Sequence, residues 1–403
     1  MTPVYVPSSN VAQLRPSATI AAAARARALK AAGRPIVDLS IGEPDFDTPD
    51  FIKAAAARAI AGGATKYTAP EGMLPLREAI AAQAAARCVG SDVPTALDVC
   101  VGGGSKQLLF NACVALFGPG DEVLVPTPGW TSYIDIVGLA RATPVPVLGD
   151  PADDWKVTVA QLDAAATPRT KGIILNSPCN PTGAVLSADE LRAILDLATA
   201  RGWWVISDEI YRRIAYEAPA PGALELVGAR DNLVVVDGVA KAYAMTGWRI
   251  GWAIAPRAVS RMLADLQSQT TSNPSTPAQH AALAALTEHD TAEESIAAMV
   301  RAFRQRRDAA LAIFAEPGAP RVVHPGGAFY MFADVSATPS DDGDAGGAFC
   351  RTMLEQHDVA IVPGSAFGTP GWVRLSYAAA EETVVTAVRR IVEAYRAVAQ
   401  VPA

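Results

Sequence analysis

Between Phe51 and about residue 270 the chain repeats one alternation, helix-forming stretches followed by short runs in which nearly every position is apolar. The runs read "DEVLVP", "TPVPV", "KGIILNS", "WWVISDE", "NLVVVDG" and "IGWAIA". None shows the in–out alternation of a strand with one wet face. Each is therefore expected to lie in a mostly parallel sheet covered on both sides, and the alternation with helices predicts an α/β doubly wound architecture. Upstream, "ATIAAAARARALKAAG" predicts a helix stopped by Gly33, and "IVDLS" a short strand leading into the turn-rich "IGEPDFDTPD". Beyond about residue 295, "MVRAFRQRRDAALAIF" has the spacing of a long amphipathic helix. The later runs "GGAFYMFADV", "VAIVPG" and "WVRLSYA" suit strands that pair antiparallel. This divides the chain into an arm (1–16), a smaller α+β domain (17–50 with 295–403) and a large domain (51–294). "PSDDGDAGG" is the expected mobile loop.

Composition narrows the class. Half of the 403 residues are hydrophobic and 19% are charged, enough for two domains with sizeable cores. A net charge of −7 offers no basic stripe to neutralise phosphates, so nucleic acid is excluded as a partner. The five cysteines are scattered without a CxxC pair, as expected of free thiols in a reducing compartment. The start of the chain has no basic and apolar leader, and no run reaches the roughly 18 apolar residues of a membrane span. The expectation is a soluble, cytoplasmic protein with no membrane partner. His280, His289, His324 and His357 show no ligand spacing, so no metal is expected.

Four polar features then stand at the carboxyl ends of apolar runs, where open α/β sheets bind ligands. "VGGGSKQ" places Gly104, Ser105 and Lys106 at a strand-to-helix turn; it reads equally as a tight turn with a helix cap or as a phosphate cradle. It is neither a P-loop nor a dinucleotide fingerprint, since Gln107 stands where the third glycine belongs, and a nicotinamide dehydrogenase is thereby disfavoured. "NSPCNPTG" ends a run in Asn180, either as a plain turn or as a ligand-facing one. "ISDEIY" sets Asp208 at a strand end with Tyr211 behind it; Asp208 either caps the next helix or holds a protonated ring nitrogen. Last, "DGVAKAYAMTGWRIGW" puts Lys241 straight after a buried run, in a chain with seven lysines against 27 arginines. Such a lysine either snorkels to the surface or is a desolvated amine.

Together these features resemble the class I aminotransferases, pyridoxal-phosphate enzymes of fold type I. The resemblance runs nearly end to end, through "PSATI", "GEPDFDTP", "TKYTAPEG", "SPCNPTGAV", "SDEIY", "KAYAMTGWRIG", "GGAFY" and "VRLSYA", and is strongest to the bacterial branch of aspartate and aspartate/prephenate aminotransferases. It implies a large domain with a mostly parallel seven-stranded sheet and a smaller α+β domain. It also implies that Lys241 forms the Schiff base with pyridoxal 5'-phosphate and shuttles the substrate proton. Asp208 would pair with the pyridine nitrogen, and Tyr211 and Asn180 would bond the ring's 3-oxygen and lower the imine pKa. Trp130, in "TPGWTSY", would stack on the ring. Ser105, with the backbone N–H groups around it (Gly104, Lys106) and Arg249, would hold the phosphate. Tyr67 would reach the phosphate of a neighbouring subunit, which implies a homodimer with shared sites. Arg374, helped by Gly42, Trp130 and Asn180, would clamp the substrate α-carboxylate, while Lys106, Arg15 and Thr19 would face a distal carboxylate. The implied reaction moves an amino group between an L-amino acid, of aspartate/glutamate or prephenate–arogenate type, and a 2-oxoacid such as 2-oxoglutarate. A β-lyase, an aminocyclopropane-forming enzyme or an amino-acid oxidase would keep the same cofactor residues. Gly238 departs from the pattern, because many relatives carry a phosphate-binding hydroxyl three residues before the lysine; Cys179, before Asn180, has no assigned role.

Overall fold

The computed structural model describes residues 6, 8–11, 14, 18–229 and 231–399, without the side chains of 18–20. Most of the expected arm, including Arg15, lies outside the described residues. A helix at Ala18–Ala31 leads to Gly33, whose φ of +88° ends it, and then to β1 (Val37–Asp38).

The central sheet is built from β2 (Val99–Gly102), β3 (Glu122–Thr127), β4 (Thr143–Leu148), β5 (Thr170–Asn176), β6 (Trp204–Asp208), β7 (Leu233–Gly238) and β8 (Gly251–Ile254). Their order is β2-β8-β7-β6-β5-β3-β4, and β8 alone runs antiparallel to its neighbours. The unbroken apolar runs have a direct cause. In β7, Val235 packs with the helices Asp50–Ala61, Leu74–Ala85 and Ala188–Arg201, while Val234 and Val236 pack on the opposite face with Ser105–Leu116 and Arg257–Thr270. Both faces are dry, so neither parity can be polar. Each Val, Leu or Ile buried this way contributes about 1.5–3 kcal/mol.

The "TPVPV" run departs from the expectation of burial on both faces. As β4 it is the sheet edge, with Thr143, Pro146 and Leu148 exposed. Pro144 and Pro146 lack the N–H that a central strand would need.

The remaining strands are β9 (Tyr330–Asp334), β10 (Val359–Ala360), β11 (Val362–Pro363) and β12 (Trp372–Ser376). β11, β12 and β9 form the expected antiparallel sheet, whereas β10 pairs in parallel with β1. A second apolar cluster, including Phe303, Phe329, Met331, Leu375 and Ile391, sits against this sheet. The helix His289–Phe314 joins both clusters, with Ala292 and Ile296 in the first and Met299, Phe303 and Ile313 in the second. The expected domain boundary at 294/295 thus falls inside one continuous helix. "PSDDGDAGG" also differs from a free loop throughout. Asp344 caps the helix Ala345–Gln356 by accepting from Gly347 N at 2.8 Å, so its last residues are helical. No helix among the described residues is long and apolar enough to cross a membrane.

Candidate active site

β5, β6 and β7 end at one edge of the sheet, and the residues there line a cavity of about 350 Å³. β5 closes on Asn176 and β6 on Asp208, paired in register. Asp208 is 2% exposed. Its Oδ2 accepts from Tyr133 Oη at 2.7 Å and its Oδ1 from Ile210 N at 3.2 Å. Burial pushes its pKa up to about 6, and those two donors oppose the rise. Asn176 ties the next segment to this strand end: its Nδ2 donates to Asp208 O at 3.0 Å, and its Oδ1 accepts from Asn180 N at 3.0 Å.

Lys241 follows Gly238, the last residue of β7, by one turn. Its Nζ donates to Gly42 O at 2.5 Å and lies 5.6 and 5.8 Å from the ring centroids of Tyr211 and Phe329. Burial pulls its pKa down to about 8, against the pull of Glu43 in the other direction. The segment 42–48 is fastened to the segment 241–248 by further bonds: Thr246 Oγ1 to Glu43 Oε2 (2.9 Å), Thr48 Oγ1 to Ala244 O (2.6 Å) and Trp248 Nε1 to Thr48 Oγ1 (3.0 Å).

The glycine loop forms one wall. Gly104 has a φ of +100°, and the helix Ser105–Leu116 starts without a side-chain cap. Arg249, itself left-handed at φ +58°, donates from Nη2 to Gly103 O at 3.3 Å and occupies the space where a Cβ of Gly104 would stand. Amides at a helix start beside a guanidinium make an anion cradle. Lys106 holds its ammonium 4.6 Å from the Trp130 centroid; burial and then Arg249 lower its pKa. The departure at Gly238 has a steric reason, since a Cβ there would lie 3.0 Å from Gly251 Cα and from Ile250 O. A side chain there would require the backbone at Ile250 and Gly251 to give by a few tenths of an ångström.

The opposite wall comes from the smaller sheet. Arg374, on β12, is 2% exposed. It donates to Asn180 Oδ1 at 3.0 Å and to Ser40 O at 2.7 Å; its Nε has no partner, and no carboxylate within ion-pair distance is found among the described residues. Burial lowers its pKa. A buried cation without a counter-ion is costly, and a carboxylate is the group that would relieve it. Its guanidinium lies 4.6 Å from the Tyr330 centroid, and Tyr330 Oη is 2.8 Å from Tyr211 Oη.

The cavity therefore gathers Gly42, Ser105, Lys106, Trp130, Asn180, Asp208, Tyr211, Lys241, Arg249 and Arg374 from the residues that the sequence singled out. Tyr67 is not among them; it is 91% exposed on the surface of the chain. Thr19 lies in the first helix, but its side chain, like Arg15, is outside the described residues. Cys179 stays beside the site as a half-buried thiol, its Sγ 3.7 Å from Pro128 O. Sequence reasoning missed Tyr133, Asn176 and Tyr330. Tyr133 stands three residues after Trp130 in "GWTSY", a helical spacing that places both over one wall.

Comparison with known proteins decides the family, because residues 34–391 match the model of aminotransferase class I and II. The chain belongs to that family. It is 43% identical to the aspartate/prephenate aminotransferase of Cereibacter sphaeroides, over 95% of this chain and 97% of that one. It is 42% identical to the aspartate aminotransferase of Streptomyces avermitilis, over 95% of each chain. Among solved structures, aspartate aminotransferase from Thermus thermophilus with maleate superposes with a TM-score of 0.90 at 39% identity, covering 97% of this chain and 100% of that one.

The aminotransferase family is pyridoxal-phosphate dependent, and so is this chain. The residues fit that cofactor. A cradle shaped by Gly104 and Arg249 suits a phosphate, a buried carboxylate suits a protonated ring nitrogen, and a desolvated amine suits an aldehyde.

Asp208 generates a prediction for the cofactor-free protein. Its folded pKa, about 6, is above its ordinary 3.8, so the carboxyl favours folding below pH 3.8 and that advantage is lost as pH rises through 6. Asp208→Asn should match the wild type near pH 4 and be more stable by about 2–3 kcal/mol at pH 8. Denaturant unfolding at the two pH values checks this, and an equal difference at both would contradict it.

Proposed function

We propose that this aminotransferase moves the amino group of a dicarboxylic L-amino acid, aspartate or glutamate, or of the prephenate–arogenate pair, onto a 2-oxoacid such as 2-oxoglutarate. The observation that carries the reading is the buried Arg374 on the wall facing Lys241, which has no counter-ion among the described residues. Its planar fork suits the α-carboxylate that every donor and acceptor shares, with Asn180 and the Gly42 backbone beside it.

When bound, pyridoxal phosphate supplies an electron sink for the charge left on the substrate Cα after proton loss. Lys241, with a pKa near 8, has a usable fraction of free amine near neutral pH, so it serves as nucleophile and as the base that takes and returns the Cα proton. Asp208 would keep the ring nitrogen protonated, and the positive charge there would favour its ionised form. Tyr211 and Asn180 would bond the ring's 3-oxygen, and Trp130 would cover the ring face. Ser105, the backbone amides of Gly104 and Lys106, and the Arg249 guanidinium would bind the phosphate. The names of the relatives, aspartate and aspartate/prephenate aminotransferase, support an acidic substrate. So does Lys106, whose ammonium stands over Trp130 at the cavity.

The active form in this reading is a homodimer in the cytoplasm, with the small domain (17–50 and 295–403) and the large one (51–294) meeting at the site. Tyr67 supports the dimer, being a large side chain left 91% exposed. An open cleft that includes Gly103, Trp248 and Arg249 lies beside the cradle, where a second copy would deliver such a tyrosine. No disulfide joins the five cysteines among the described residues, which suits a reducing compartment.

Assay of amino donors against 2-oxoglutarate tests the substrate. Lys106→Ala should lower kcat/KM for aspartate or glutamate tenfold to a hundredfold more than for alanine, since a charge-assisted bond in a closed site is worth roughly 1.5–3 kcal/mol. Equal losses for acidic and uncharged donors would remove the acidic-substrate reading. Light scattering of the active enzyme should give twice the chain mass; full activity at the mass of one chain would end the shared-site reading.

A further inference from the structure

Tyr330 carries no role in any of the assignments above, yet it touches three of their residues. It opens β9, opposite Ser376 of β12 and two positions along from the Arg374 register, and it is 1% exposed. Its ring lies 4.6 Å from the Arg374 guanidinium, its Oη lies 2.8 Å from Tyr211 Oη, and a Cβ on Gly42 would come within 2.6 Å of that same oxygen. Arg374 has few other holds, because its Nε is unpartnered and its remaining bonds go to Asn180 and Ser40.

We propose that Tyr330 is a positioning residue that couples the Arg374 clamp to Tyr211. The inference rests on the assignment of Tyr211 to the 3-oxygen of the cofactor. A phenol has one proton to give. Once Tyr211 donates its proton into the cavity, its oxygen is free to accept, and Tyr330 is the hydroxyl within hydrogen-bond reach of it among the described residues. Tyr330 then donates to Tyr211, polarises its O–H and makes it a better donor to the 3-oxygen. The ring face of Tyr330 simultaneously backs the guanidinium, so a carboxylate arriving at Arg374 presses on the same side chain that tunes Tyr211. The hydroxyl and the ring do separable work.

The holoenzyme separates them. The pH at which the bound cofactor changes its absorption reports the donor strength of Tyr211, and weakening that donor should raise it. Tyr330→Phe keeps the ring and loses the hydroxyl. It should raise the spectral pKa by about 0.3–1 unit, leave the KM of the best amino donor within about twofold of wild type, and add nothing further when combined with Tyr211→Phe. Tyr330→Leu loses both and should also raise that KM roughly three- to thirty-fold. A spectral pKa unmoved in Tyr330→Phe but moved in Tyr211→Phe would overturn the coupling and leave the cofactor reading intact. Additive shifts in the double variant would overturn it as well, by showing that Tyr330 acts on its own. No shift in Tyr211→Phe would instead overturn the assignment of Tyr211, and this proposal with it.

Discussion

The site depends on keeping three charged groups out of water at the meeting of two sheets. Lys241, Asp208 and Arg374 all line one cavity, and burial is the first cause of the shift in each: the amine falls to about 8, the carboxyl rises to about 6, and the guanidinium is pushed down. None of the three forms an ion pair with another, so each retains a desolvation cost that a bound partner of opposite charge relieves. That cost is useful here. A lysine in water stays almost fully protonated at neutral pH and makes a poor nucleophile, whereas one held near 8 does not. An arginine already stripped of water loses little more solvation when a carboxylate arrives. The same arrangement lowers the stability of the cofactor-free chain, a trade expected wherever chemistry needs perturbed charges.

Holding such groups still requires the two sheets to be fixed to each other. The segment 42–48 is the seam. On one side it is bonded to 241–248; on the other Arg306 grips Asp45 with two bonds of 2.7 and 2.9 Å and stacks 5.1 Å from Phe46. Arg306 belongs to the helix His289–Phe314, whose two ends pack in the two different apolar clusters. A shift of that helix therefore moves Gly42 relative to Lys241, and with it the space in which an α-carboxylate would lie. The Asn176–Asn180–Arg374 bonds form a second tie across the same gap.

Much of this was legible in the chain. Runs with no polar parity marked six of the seven large-sheet strands, all but β2, and for five of the six their burial on both faces, because period-2 patterning reports directly on which faces are dry. The exception, β4, was also written in the sequence by its two prolines, and they outweigh the run's apolar character. Lys241, Asp208 and Asn180 stood out because each follows an apolar run, and local context is enough to mark a strand end. Tyr330, Tyr133 and Asn176 did not. Their importance lies in contacts with segments 119, 75 and 32 residues away, and no local pattern encodes such contacts. Tyr67 is the opposite case, a residue named from resemblance that one chain leaves on its surface. The amphipathic run at 299–314 was read as a helix, but its role as a bridge between cores depends on turns upstream of it.

The account stands on Lys241 being the amine that carries the cofactor. Borohydride reduction of the purified holoenzyme, followed by proteolysis and mass spectrometry, tests this directly. Seven lysines are present, and only one is expected to bear the label. The expected result is a pyridoxyl phosphate adduct on the peptide containing Lys241, absent from Lys241→Ala. An adduct recovered chiefly on Lys106, the other amine of the cavity, or on a surface lysine would contradict the account.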